Sequence, residues 1–211
     1  MCGICGMVHT DQSRSVDASR LIAMNDELIH RGPDDTGLSI RDVAHGHQPM
    51  MNEDESCVVV FNGEIYNADE LRADLEKEGY AFRTTCDTEV VLRAYEAWDE
   101  SAVHRFNGMF AFAVWDAARE RLYVARDRIG IKPLFFAQRE GTFAFSSEIG
   151  SLLFSGLVDG ALDPAAIDAY LTYLYVPHPE TIFRGIRQLG PAETLTWHRG
   201  QLRFDKYWRP E

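Results

Sequence analysis

The amino-acid sequence predicts an α+β domain in which antiparallel sheets carry helices on their outer faces. Apolar runs rich in β-branched and aromatic residues recur along the chain, and polar or glycine-containing turns separate them. Two segments of helical spacing stand between the first such run and the others, so the order is strand, helix pair, several strands, helix, strand.

The elements follow in turn. Leu21, Met24 and Leu28 fall at helical spacing and predict a helix from about Ala18 to Leu28. Cys57 to Phe61 reads as a buried strand. Ala68 to Glu78 starts after Asn67, a suitable N-cap, places Leu71 and Leu75 four apart and stops at Gly79. Thr88 to Trp98 follows Asp87, a second cap, and puts Val91, Leu92 and Tyr95 on one face. Strands are expected at Met109 to Trp115, Leu122 to Ala125, Leu134 to Ala137 and Phe143 to Ser146. A later helix begins near Pro164 and runs towards Tyr175, where Pro177 and Pro179 end it. Leu195 to Trp197, the turn at Arg199-Gly200 and Leu202 to Trp208 form a last hairpin.

With 211 residues, 45% of them hydrophobic, the chain can bury a substantial core. Low-complexity stretches, an apolar run of transmembrane length and the basic and apolar regions of a signal peptide are all missing, which predicts a cytoplasmic protein with no membrane partner. Four unevenly spaced cysteines agree with a reducing compartment. A net charge of −12, with the acids spread along the chain, argues against a nucleic-acid partner. The ending Arg209-Pro210-Glu211 reads as a domain boundary.

The opening Met1-Cys-Gly-Ile-Cys-Gly6 carries the first chemical suggestion. Removal of Met1 would leave Cys2 with a thiol and a free α-amine on one residue. An α-amine of ordinary pKa near ~8 can take the thiol proton close to neutrality, so nucleophile and base come together. Cys2 and Cys5 also admit a zinc half-site, a redox pair or buried structural cysteines. A zinc site wants a second close pair of ligands, and Cys57 and Cys86 stand alone.

A second suggestion lies at Asn62-Gly63, where a strand ends on a carboxamide and an unshielded backbone N–H, two donors that could hold a tetrahedral oxyanion. Asn-Gly is equally the commonest hairpin-turn dipeptide. Glu64 directly follows, and Asp87 stands at the mouth of a helix; two carboxylates could hold the α-ammonium of an amino acid, or be a solvated side chain and a cap.

Together with His30-Arg-Gly-Pro-Asp-Asp35, Asp87-Thr-Glu89, Asn107-Gly-Met-Phe-Ala-Phe112, Ala125-Arg-Asp-Arg-Ile-Gly-Ile-Lys-Pro-Leu134, Ser147-Glu-Ile149 and a closing Asp205-Lys-Tyr-Trp208, these segments resemble the glutaminase domain of glutamine-hydrolysing asparagine synthetases over residues 1–211. The resemblance implies a class II amidotransferase of the N-terminal-nucleophile type, a four-layer αββα sandwich of two antiparallel sheets flanked by helices. It implies that Cys2 attacks the side-chain amide of glutamine, that Asn62 and Gly63 form the oxyanion hole, that Glu64 and Asp87 hold the glutamine amino end, and that Arg31 supports the site. No metal or cofactor is expected in this domain. ATP and Mg would belong to the family's synthetase domain, whose serine-glycine-glycine-leucine-aspartate loop is not in these residues, so a separate synthetase domain or subunit is the expected partner and asparagine is not expected from this chain alone.

Between Asp35 and Gln48 the chain is shorter than the family pattern, passing from Thr36-Gly37 straight to Leu38, Ser39 and Ile40, the stretch matching a substrate-binding run. The resemblance implies that the shortened piece would have supplied a strand and the arginine that grips the glutamine α-carboxylate; Arg31 and Arg41 are the nearby guanidiniums. A lost strand leaves a sheet edge that can pair between copies, so a homo-oligomer is compatible with the sequence. Gly150 stands where the family usually has lysine. The competing reading is a weakened or inactive remnant that serves as an interaction module.

Overall fold

The computed structural model describes residues 3–11, 13–31 and 48–210. Runs that are apolar or alternating become strands, and the segments of helical spacing become helices. In chain order they are β1 Cys5–His9, α1 Ala18–Asp26, a 3-10 turn Ile29–Arg31, β2 Met50–Met51, β3 Cys57–Ile65, α2 Ala68–Lys77 and α3 Asp87–Trp98. There follow a 3-10 turn Asp99–Arg105, β4 Gly108–Asp116, β5 Arg121–Arg126, β6 Phe135–Arg139, β7 Thr142–Ser146, α4 Ile149–Leu153, α5 Pro164–Tyr173, β8 Ile186–Gln188, β9 Glu193–His198 and β10 Gln201–Lys206.

The strands pair antiparallel in two sheets, one in the order β10-β9-β5-β4-β3-β2 and one in the order β1-β7-β6-β8. Strand β4 shows how they layer. Its Phe110, Phe112 and Val114 join Val59, Phe61, Leu71, Leu75, Val91, Leu92 and Tyr95 in a core between the larger sheet and helices α2 and α3. Its Ala111 and Ala113 face the other way, and their small size makes room for Phe136, Phe143 and Phe145 of the smaller sheet. A third core, with Met24, Ala144, Leu152 and Ile186, lies between the smaller sheet and helices α1 and α4. Helix, sheet, sheet, helix is thus the layering expected. Each fully buried large side chain contributes about 1.5–3 kcal/mol, so the central strands, buried on both faces, hold the scaffold rigid.

Several expectations change in detail. Strands β1, β2 and β8, helix α4 and both 3-10 turns carried too short a pattern to predict. Asn67 makes no cap bond; its amide bridges Arg105 O (3.0 Å) and Asn107 N (2.9 Å), tying the end of β3 to the start of β4. Nor does Asp87 cap α3, since it is the first helical residue. Glu89, 3% exposed, instead pins the loop before the helix by reaching back to accept from Arg83 N (2.8 Å) and Thr84 N (2.7 Å). The expected last hairpin forms, with Arg199 and Gly200 both at positive φ (48° and 84°) as a tight turn requires.

Candidate active site

Strand β3 does not end at Phe61 but runs through Asn62, Gly63 and Glu64, which face Ala111, Phe110 and Met109 on β4. The hairpin-turn reading of Asn62-Gly63 is therefore overturned. Val60, two residues before Asn62, packs with the core between the sheets, and strand alternation sends the Asn62 side chain to that same side. Asn62 is 1% exposed, yet its Nδ2 has no hydrogen-bond partner among the described residues. A buried donor left unmade costs about 1–3 kcal/mol, and such a group calls for an explanation.

Gly63 is required by contact. A Cβ there would lie 2.1 Å from Met109 O and 2.7 Å from Phe110 Cα, both backbone atoms. Its N–H is also spared by the ladder. Phe110, opposite Gly63, gives both backbone groups to Asp127, accepting from Asp127 N at 2.8 Å and donating to its Oδ2 at 3.3 Å. The N–H groups on either side along this edge, Phe61 N and Ile65 N, donate to side chains rather than to β4. Alternation therefore aims the Gly63 N–H out of the same edge, beyond the two residues that β2 covers.

Asp87 reaches this edge from α3, its Oδ2 accepting from Ile65 N at 3.1 Å. Glu64, one residue earlier, is exposed, and its side chain makes no hydrogen bond or ion pair with the described residues. Four of the residues singled out from the sequence, Asn62, Gly63, Glu64 and Asp87, are thus assembled at one stretch of strand edge beside a helix start.

Cys2, Leu38, Ser39, Ile40 and Arg41 lie outside the described residues. The chain that follows Cys2 is firmly held. Ile4 N donates to Ser147 Oγ (3.1 Å) and Ser147 N to Ile4 O (2.8 Å), while the Ile4 side chain packs in the inter-sheet core that also holds Ala111, the partner of Asn62. Gly3 sits against Leu28 and Arg31, with room for a Cβ only 3.0 Å from Leu28 Cβ. Arg31 Nη1 donates to Glu148 Oε1 (2.7 Å), and His30 Nε2 is 3.0 Å from the same oxygen. Burial works to raise the Glu148 carboxyl, but these two hydrogen bonds outweigh it and hold the group below its ordinary value. Ser147 and Glu148 therefore fix both the entry of the chain and the Arg31 side chain, a role that sequence reasoning saw only as a motif.

Cys5 starts β1, and burial pushes its thiol up to about 12 despite a hydrogen bond to Ser151. Such a thiol stays neutral near pH 7, which speaks against a reactive redox role for Cys5. Among the described residues no group of three His, Cys, Asp or Glu side chains could hold a metal ion.

The other long motif proves to be scaffolding. Asp127, fully buried, accepts from Ile129 N, Ile131 N and Lys132 N, and the Arg126 guanidinium donates to the carbonyls of Gly130, Lys132 and Leu189. The turn after β5 is thereby locked.

The family model for the glutamine amidotransferase domain matches residues 1–208, and the chain belongs to that family. Its similarity runs to asparagine synthetase [glutamine-hydrolyzing] 3 of Bacillus subtilis (strain 168), 35% identical over all of this chain and 37% of that protein, and to asparagine synthetase [glutamine-hydrolyzing] 1 of the same organism, 37% identical over 99% of this chain and 35% of that protein. This chain thus spans little more than a third of the length of these curated relatives. The fold is shared with the glutamine phosphoribosylpyrophosphate amidotransferase of B. subtilis, at a TM-score of 0.64 and 16% identity over 99% of this chain and 50% of that one.

Proposed function

We propose that this chain hydrolyses the side-chain amide of glutamine to glutamate and ammonia, with Cys2 as nucleophile once Met1 is removed. The observation that carries the reading is the buried Asn62 carboxamide, whose Nδ2 has no partner among the described residues, beside a glycine N–H aimed off the strand edge. Two such donors suit an oxygen that gains negative charge in the reaction. The Cys2 α-amine takes the thiol proton, the thiolate adds to the amide carbon, and Asn62 Nδ2 with Gly63 N–H holds the resulting oxyanion. Collapse expels the nitrogen as ammonia, protonated by the same amine, and leaves a thioester. Water activated by that amine then attacks the thioester and frees glutamate. Glu64 and the second oxygen of Asp87 hold the α-ammonium of glutamine.

In the intact system we place this domain beside an ATP- and Mg-dependent synthetase domain or subunit that takes the ammonia for asparagine formation, a reading that its similarity to glutamine-hydrolysing asparagine synthetases supports. No helix among the described residues is long and apolar enough to cross a membrane, and Cys5, Cys57 and Cys86 are free thiols, which supports a cytoplasmic site of action.

The test is ammonia release from glutamine by protein whose mass confirms loss of Met1, alongside Cys2→Ala and labelling with a glutamine-like alkylating analogue. Turnover and a single adduct on Cys2, both abolished in Cys2→Ala, are expected. A processed chain that neither turns over nor labels is the interaction module instead.

A further inference from the structure

We propose that Gln48 is a positioning residue for the oxyanion donors, its side chain standing in for the strand that β2 fails to supply along the Asn62-Gly63 edge. This rests on the role of Asn62 and Gly63 given above. Strand β2 pairs with β3 only at Met50 with Val59 and Met51 with Val58. Two residues further along β3, the Phe61 N–H is met not by backbone but by Gln48 Oε1 at 2.5 Å. Phe61 is 2% exposed, so its N–H has to find a partner within the protein.

The other end of the same carboxamide donates from Nε2 to Thr88 Oγ1 at 3.4 Å, on the first turn of α3. Next to Thr88, Asp87 takes the Ile65 N–H. Phe61 and Ile65 are thus clamped by side chains, and Gly63, midway between them on that edge, is left with its N–H aimed outward. Gln48 also bridges the strand that carries the donors to the helix that carries Asp87, so it sets the spacing between the place where the amide reacts and the place where the substrate amine is held. Oxyanion stabilisation falls off within a fraction of an ångström, and a loosened edge would be felt in the chemical step rather than in binding.

The test uses the whole processed chain. Gln48→Met keeps the length and removes the acceptor. It should lower kcat about ten- to a hundredfold, the range that displaced donors command, and leave KM for glutamine within about threefold. Alkylation of Cys2 by iodoacetamide, which forms no oxyanion, should proceed at the wild-type rate. Gln48→Glu keeps an oxygen for Phe61 N and should recover kcat to within about tenfold of wild type, since Phe61 N stays paired. If Gln48→Met does not fold, Thr88→Val cuts the helix end of the bridge and should lower kcat several-fold at constant KM. Wild-type kcat in Gln48→Met or Thr88→Val, or a loss confined to KM, overturns the proposal. A processed wild-type chain with no glutaminase activity instead sinks the functional reading, and this inference with it.

Discussion

Replacing Asn62 by leucine separates function from stability with opposite signs. The side chain is 1% exposed and its Nδ2 has no partner among the described residues, so on this reading the folded state already bears the cost of a buried donor, about 1–3 kcal/mol. Leucine has nearly the same shape and no donor. Removing that penalty against a small change in packing should leave stability equal or raised by about 1 kcal/mol, which for a chain of this size moves the melting temperature up by about 2–4 °C. Catalysis should suffer the reverse. Loss of one oxyanion donor costs about 2.7–4 kcal/mol, a fall of roughly 10²- to 10³-fold in kcat. Calorimetry and an ammonia-release assay on the same preparation read both quantities. A melting temperature lowered by several degrees would mean that the amide already has a structural partner, and a kcat within threefold of wild type would mean that it touches no developing charge.

Asp87→Asn keeps an oxygen for Ile65 N but removes the charge offered to the substrate amine, so KM for glutamine should rise about tenfold to a hundredfold with the melting temperature held; an unchanged KM removes Asp87 from the binding site. Gly63→Ala drives a Cβ to 2.1 Å from Met109 O, a contact with backbone on both sides, and should cost about 3 kcal/mol, read as a lower urea midpoint. The Glu53 carboxyl is held down to about 2 from its ordinary 4.5, chiefly by its hydrogen bonds from Arg93. Its folded pKa lies below its unfolded one, so the pair's stabilisation is complete above pH 4.5 and is lost as pH falls towards 2; urea midpoints of wild type and Glu53→Gln should converge over that window and differ above it. The resemblance implies that the shortened stretch between Asp35 and Gln48 leaves out an arginine that grips the glutamine α-carboxylate; on that reading KM for glutamine should exceed those of the two B. subtilis relatives in the same assay by roughly tenfold to a few hundredfold, the worth of one charge-assisted contact, and an equal KM would sink it.

Legibility in the sequence followed burial and length. Strand β4 was readable because both faces are apolar from Met109 to Trp115, and α2 because Leu71 and Leu75, 5% and 0% exposed, mark its inner face. Two-residue β2 and three-residue β8 have no pattern of their own and exist because longer neighbours offer them hydrogen bonds. Local rules misassigned Asn67 and Asp87 as caps, since their side chains answer to β4 and β3, which are remote in sequence. Asn62-Gly63 shows the same limit. Its local preference is a turn, and the pairing of β3 with β4 overrides it. Gln48 was invisible because nothing in Gln-Pro-Met announces a side chain that replaces a backbone partner.

The pattern of satisfied and unsatisfied donors locates the site better than residue type does. Among the described residues, Arg31, Arg93, Arg121 and Arg128 each have a buried Nε without a partner, but each guanidinium donates elsewhere through its Nη atoms, to Glu148, Glu53, Glu100 and His104 O respectively. Those side chains are anchored, and one spare N–H among five costs them little. Trp197 Nε1 sits in the inter-sheet core against Trp115, where the ring's apolar burial outweighs a single donor. Asn62 has neither excuse: a short side chain buries a carboxamide and leaves its donor end open. The surrounding chain spends Gln48, Asp87, Asp127 and Ser147 on satisfying nearby backbone groups, so polar partners are not scarce in this region. Among the described residues partners are supplied all around this one amide and none reaches its donor end, which leaves Asn62 Nδ2 open to the oxyanion proposed for it, an oxygen that becomes charged only during reaction.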